Sequence, residues 1–189
     1  MRLDPSLKLA LKILVIGRVL PWVTRRPVEG KRIAMVGDSH AEALQRTAGA
    51  LVRAAGGSFV ADARSGWSTA RYAASGAVSG VSAGADYLIV VLGTNDGVPD
   101  VEAAHRIVQQ AGSARVVWWG PPPLVRSDVR GLPWQIGHAY QPAVFEAGGL
   151  WVDSTAFLSF DLFNERGIHL TQAGYERWAG FALRQVFRV

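Results

Sequence analysis

The chain has 189 residues, 49% of them hydrophobic and 19% charged, enough for one globular domain and unlike a disordered composition. The absence of cysteine excludes disulfides, thiolate zinc sites and a cysteine nucleophile, and leaves the compartment open. The net charge of +5 comes mostly from single arginines such as Arg46, Arg53, Arg64, Arg71 and Arg106, a pattern of solvated surface charge rather than of nucleic-acid binding.

Residues 1–29 read as an extension before the main domain at 30–189. Leu7 to Ile16 is apolar but interrupted by Lys8 and Lys12, with Arg18 beyond, which argues against a membrane span, and no small-residue cleavage site follows. Its period is ambiguous, so two readings stand. The segment is either an extra helix packed on the domain's back, or a docking element. In the second case residues 1–26 meet a protein partner or membrane surface, with Trp22 near Arg25 and Arg26 at the interface.

From Lys31 the pattern becomes regular. Ile33 to Val36 is a short apolar strand ending at Gly37, and Ala41 to Ala55 is a helix with Leu44, Ala48, Leu51, Val52 and Ala55 on one face. Gly56-Gly57 ends that helix, and Ser58 to Ala61 is a second strand. Tyr87 to Leu92 is fully apolar, as a strand buried on both faces of a parallel sheet must be. A helix over Val101–Ala111, strands at Val116–Trp119 and Leu150–Val152, and a closing helix Gln172–Val186 capped by Thr171 complete the alternation. Strands alternating with helices predict a doubly wound α/β domain whose site lies at the carboxyl ends of its strands.

Four polar groups fall at those ends. Gly37-Asp38-Ser39-His40 puts a serine on a strand-to-helix turn, where backbone N–H groups and a helix N-terminus favour negative charge forming beside it. Gly66, after the second strand, can offer a backbone N–H. Asn95, in Gly93-Thr94-Asn95-Asp96-Gly97, can aim its amide at an oxyanion. His169, just before the closing helix, can take the serine proton as general base. His40 and Trp67 adjoin these loops and are candidates to touch substrate. Most of the seven tryptophans read as packing, since large aromatics are usually half-buried or core. No cluster has metal-ligand spacing, and no cofactor is expected.

Serine, glycine, asparagine and histidine delivered by four loops in this order resemble the SGNH/GDSL hydrolase family. The matching blocks are Gly37-Asp38-Ser39, Gly66, Gly93-Thr94-Asn95-Asp96 and His169-Leu170-Thr171 with Gly174, joined by the Pro121-Pro122-Pro123 stop. The resemblance runs from Lys31 onward, about five-sixths of the chain. It implies a three-layer, flavodoxin-like α/β sandwich with a central, mostly parallel sheet. It also implies Ser39 as nucleophile, His169 as base, and an oxyanion hole from the Ser39 and Gly66 N–H groups with Asn95. The activity implied is hydrolysis of a carboxylic ester, with short acyl groups such as O-acetyl on a small-molecule or glycan substrate as the leading substrate class.

One position departs from the family. The aspartate usually found three residues before the histidine is Arg166 here. Glu165, Asp161 or Asp153 can substitute for it, or a backbone carbonyl can hold the ring. The alternative function is a non-catalytic module of the same fold that binds glycan or forms part of a larger assembly.

Overall fold

A computed structural model describes residues 26–124 and 132–188. The apolar run Leu7–Ile16 and Trp22, on which the docking and packing readings rest, lie outside the described residues. Among those described, no helix is long and apolar enough to cross a membrane.

Strands β2 (Arg32–Gly37), β3 (Ser58–Ala63), β4 (Tyr87–Val91), β5 (Arg115–Trp119) and β6 (Leu150–Val152) form one sheet in the order β3-β2-β4-β5-β6. Every neighbouring pair is parallel. Between them run α1 (Ser39–Ala54), α2 (Thr69–Ser75), α3 (Ala77–Ser82), α4 (Val101–Gln110) and α5 (Leu132–Glu146), and α6 (Gln172–Val186) closes the chain. A short parallel pair, β1 (Arg26–Pro27) with β7 (Phe187–Arg188), joins the two ends of the described fold.

The alternation of side chains across each strand divides the core in two. Ile33, Met35, Ile89, Val91, Val117 and Trp119 face α1 and α6 in one apolar layer. Ala34, Val36, Leu88, Val90, Val116 and Trp118 face α2 to α5 in the other. The three layers follow, because a strand buried on both faces needs helices on both sides. Val28, within the stretch read from sequence as the extension, is 1% exposed and packs into the first layer.

Three helices carry no clear sequence signal. Helices α2 and α3 are short and rich in Ala, Ser and Gly, and α5 contains Pro142. Helix α1 also begins two residues before the expected Ala41. Asp38 is its N-cap, accepting from the His40 N–H, and this makes Ser39 the first helical residue.

This sheet order reverses direction between β3 and β4, on either side of β2. In such sheets the crevice at the carboxyl ends beside the reversal is where ligands bind. Ser39 follows β2 and Asn95 follows β4, so the two motifs meet there.

Candidate active site

Ser39 is half-buried and its Oγ lies 2.9 Å from His169 Nε2, across 130 residues of sequence. With the imidazole proton on Nδ1, Nε2 accepts from the serine hydroxyl, the geometry a general base requires. The turn at Ser39 is tight because β2 runs into α1 against β4. A Cβ on Gly37 would overlap the Val91 carbonyl oxygen and come within 2.6 Å of the Ala41 Cβ. Any side chain there would therefore displace the serine turn from β4.

His169 is delivered by a loop fastened on both sides. Phe163 and Leu170 form an antiparallel bridge, the Asn164 N–H donates to the His169 carbonyl at 2.8 Å, and the Thr171 N–H donates to the Leu162 carbonyl at 2.7 Å. The imidazole packs at a tilt on the His40 ring, with centroids 5.3 Å apart.

The sequence named three carboxylates to orient this histidine, and among the described residues none bonds to it. Glu165 and Arg166 occupy the exposed tip of a turn that the Gly167 N–H closes on the Asn164 carbonyl at 2.8 Å, so both point out from the loop. Asp153 is occupied as a cap, accepting from the Thr155 N–H and hydroxyl at 2.9 and 2.6 Å. Asp161 is exposed and held below the usual carboxylate range chiefly by the Ser159 hydroxyl. Within the described residues Ser39 and His169 therefore stand as a pair, with His40 as the packing support of the base.

His40 also departs from expectation. Its ring is fully buried, with Nδ1 3.1 Å from the Tyr175 hydroxyl and an edge contact to Trp178, so no substrate reaches it in this structure. Burial, aided by the neighbouring His169, pushes its pKa down to about 3. A neutral ring beneath the base avoids the repulsion that a second imidazolium would create.

Asn95 is exposed, and its amide Nδ2 donates to Asp38 Oδ2 at 3.2 Å and to the Trp67 carbonyl at 3.3 Å. These two bonds draw the loops after β2, β3 and β4 together. Gly66 lies on the second of those loops at φ +73°, a backbone that side chains rarely adopt. Trp67 is half-buried beside it.

Two buried acids that sequence reasoning did not single out support this junction. Asp38 is completely buried, and burial pushes its carboxyl up to about 7 despite the His40 N–H bond that opposes the shift; the charge on Asp96 adds to the rise. Asp96 accepts from the Thr69 N–H and hydroxyl at 2.8 and 2.6 Å and from the Tyr140 hydroxyl at 2.8 Å. Both stand inside the quoted motifs, but their partners come from distant elements that spacing does not reveal.

No family model matches the chain, and no curated protein matches it. Solved structures do. The chain superposes on a lipase/acylhydrolase from Enterococcus faecalis with TM-score 0.69 at 17% identity, covering 82% of this chain and 94% of that one. A catalytic mutant of an acetylxylan esterase from Geobacillus stearothermophilus gives 0.71 at 15% identity, covering 85% and 98%. A lipolytic protein of the G-D-S-L family from Desulfitobacterium hafniense gives 0.68 at 14% identity, covering 83% and 100%. The chain has the SGNH/GDSL hydrolase fold. Here the loops that carry Ser39, Asn95 and His169 meet at one end of the sheet.

Proposed function

We propose that the protein is a serine ester hydrolase acting through an acyl-serine intermediate, with Ser39 as nucleophile and His169 as base. The observation that carries this reading is the 2.9 Å contact of Ser39 Oγ with His169 Nε2 at the switch point of an SGNH sheet. The esterases and lipases among the structural neighbours support ester hydrolysis as the reaction class.

In this reading Ser39 Oγ attacks the ester carbonyl carbon as its proton passes to His169 Nε2. The carbonyl oxygen becomes an oxyanion beside the N-terminus of α1, the Gly66 loop and the Asn95 amide. Collapse of the tetrahedral intermediate breaks the bond to the alcohol, which leaves with the proton from Nε2. Water then attacks the acyl-serine, gives its proton to His169, and releases the acid as Ser39 regains its hydrogen. Short acyl groups on a small-molecule or glycan alcohol, O-acetyl first, are the proposed substrates.

Asn95 Nδ2 must turn at least one hydrogen from its present acceptors to reach an oxyanion. Among the described residues the dyad also has no carboxylate bonded to it that would stabilise the imidazolium. These two observations favour the alternative, a non-catalytic module that binds glycan or sits within a larger assembly. Hydrolysis of p-nitrophenyl acetate decides between the readings. A turnover lost in Ser39→Ala supports the enzyme, and a wild-type rate equal to buffer supports the module.

A further inference from the structure

Trp67 follows Gly66 on the loop between β3 and α2, and its carbonyl holds the Asn95 amide. Two guanidinium groups lie against its indole. The Arg64 and Arg71 Cζ atoms are each 4.4 Å from the ring centroid, and Tyr72 meets the ring edge-on at 5.1 Å. An indole packed by two cations is not a free platform for an apolar sugar face.

The two cations are not equivalent. Arg64 is paired, its Nε and Nη2 each 2.7 Å from an Asp62 carboxylate oxygen. Arg71 is exposed, and among the described residues it has no carboxylate partner. The acids of the neighbouring loops do not offset it from the surface. Asp38 and Asp96 are buried and already bonded to His40, Asn95, Thr69 and Tyr140. An uncompensated positive charge therefore stands beside the loop that holds Asn95. The Arg71 Cζ lies over the indole, and a guanidinium that meets a ring through its face keeps its in-plane N–H donors free for another partner. Those donors match the paired oxygens of a carboxylate or phosphate.

We propose that the site selects esters that themselves carry an anionic oxygen group, carboxylate or phosphate, and that Arg71 binds that group. This rests on the hydrolase reading above and names its substrate class.

The test compares matched esters at low ionic strength, each enzymatic rate divided by that ester's hydroxide rate. On the alcohol side, 4-acetoxybenzoate and 4-acetoxyphenyl phosphate are set against neutral methyl 4-acetoxybenzoate. On the acyl side, mono-p-nitrophenyl adipate is set against p-nitrophenyl hexanoate. The expected result is a normalised kcat/KM about tenfold higher for an anionic ester than for its neutral partner, the size of one charge-assisted hydrogen bond. The arm that shows the preference identifies the anion and its side of the ester. Arg71→Gln should bring the ratio close to one, Arg71→Glu should invert it, and added salt should lower it. A ratio near one in every arm, or one that persists in Arg71→Gln, overturns the proposal. If no ester is cleaved, the hydrolase reading fails separately, and calorimetry of 4-acetoxybenzoate with Ser39→Ala and Ser39→Ala/Arg71→Gln takes over. Heat of binding that depends on Arg71 sustains the charge preference, and its absence overturns it.

Discussion

Ser39 and Asp38 at the end of β2 and Asn95 beyond the end of β4 meet through the side chain of Asn95. Asn95 reaches across to Asp38 and to the Trp67 carbonyl, so truncating it removes a tie between loops and, in the proposed mechanism, an oxyanion donor. Steady-state kinetics of Asn95→Ala should show turnover reduced by about a hundred- to a thousandfold, with a smaller rise in the Michaelis constant. An effect confined to the Michaelis constant would remove Asn95 from the oxyanion hole. Asp38 makes a second prediction, about stability. Its carboxyl titrates near 3.8 when unfolded and at about 7 when folded, so between those values the folded chain holds the extra proton. Stability from this group is therefore present at low pH and lost as pH rises through 7. His40 has the opposite slope, since its folded pKa of about 3 lies below its ordinary 6.5. Asp38→Asn removes the first slope and leaves the second. The melting temperature of the variant minus that of wild type should thus climb as pH is raised from 4 to 7 and then level off. A difference that stays constant across this range would contradict the account.

At the scale of elements, the loop that carries Asn95 is held by a carboxylate that bonds to three groups on two helices. Asp96 joins the loop after β4 to the start of α2 through Thr69 and to α5 through Tyr140, whose hydroxyl also accepts from the Asp100 N–H at the cap of α4. Asp96→Ala would leave these donors unsatisfied in a buried place, and should cost about 3 kcal/mol in urea denaturation. Turnover should fall with it, because the Gly66–Trp67 loop enters α2 at Thr69. A destabilisation well below 1 kcal/mol would mean that water replaces the carboxylate without loss. The elements around the motifs were legible in sequence for physical reasons. Strands β2, β4 and β5 are continuous apolar runs, and α1, α4 and α6 carry one apolar face each. Helices α2 and α3 were not legible, since their Ala, Ser and Gly residues give no periodic stripe. Nor was α5, where Pro133, Gly137 and Pro142 punctuate the sequence. There tertiary contact overrides propensity: a Cβ on Gly137 would come within 2.5 Å of Pro121, so the helix needs glycine to lie against the proline stop after β5.

At the scale of the whole molecule, one parallel sheet gathers chemistry from across the chain, because each crossover returns the next strand's carboxyl end to the same side. That regularity is why four weak motifs could be read together as one site. It also explains what escaped: the position three before His169 lies on an exposed turn here, and its family role depends on a loop conformation that the sequence does not encode by spacing. One residue ahead of the regular pattern also packs into the core. Val28 lies between Pro27 and Glu29, just before Gly30, in a stretch that reads as linker, yet it is buried, with its Cγ1 2.6 Å from where a Gly57 Cβ would stand. In the full chain Val28→Ala should therefore lower stability by about 2 kcal/mol, the loss of two buried carbons plus a small cavity. A chemical-denaturation midpoint equal to wild type would place Val28 outside the core.

Covalent trapping of the nucleophile tests the central claim most directly. Incubation with a p-nitrophenyl alkylphosphonate, followed by proteolysis and mass spectrometry, should place one stoichiometric phosphonyl adduct on Ser39. Labelling should be slowed by a cleavable acetyl ester, and it should disappear in Ser39→Ala while the melting temperature stays near that of wild type. An adduct on another serine, or none from a protein that hydrolyses p-nitrophenyl acetate, would contradict the assignment.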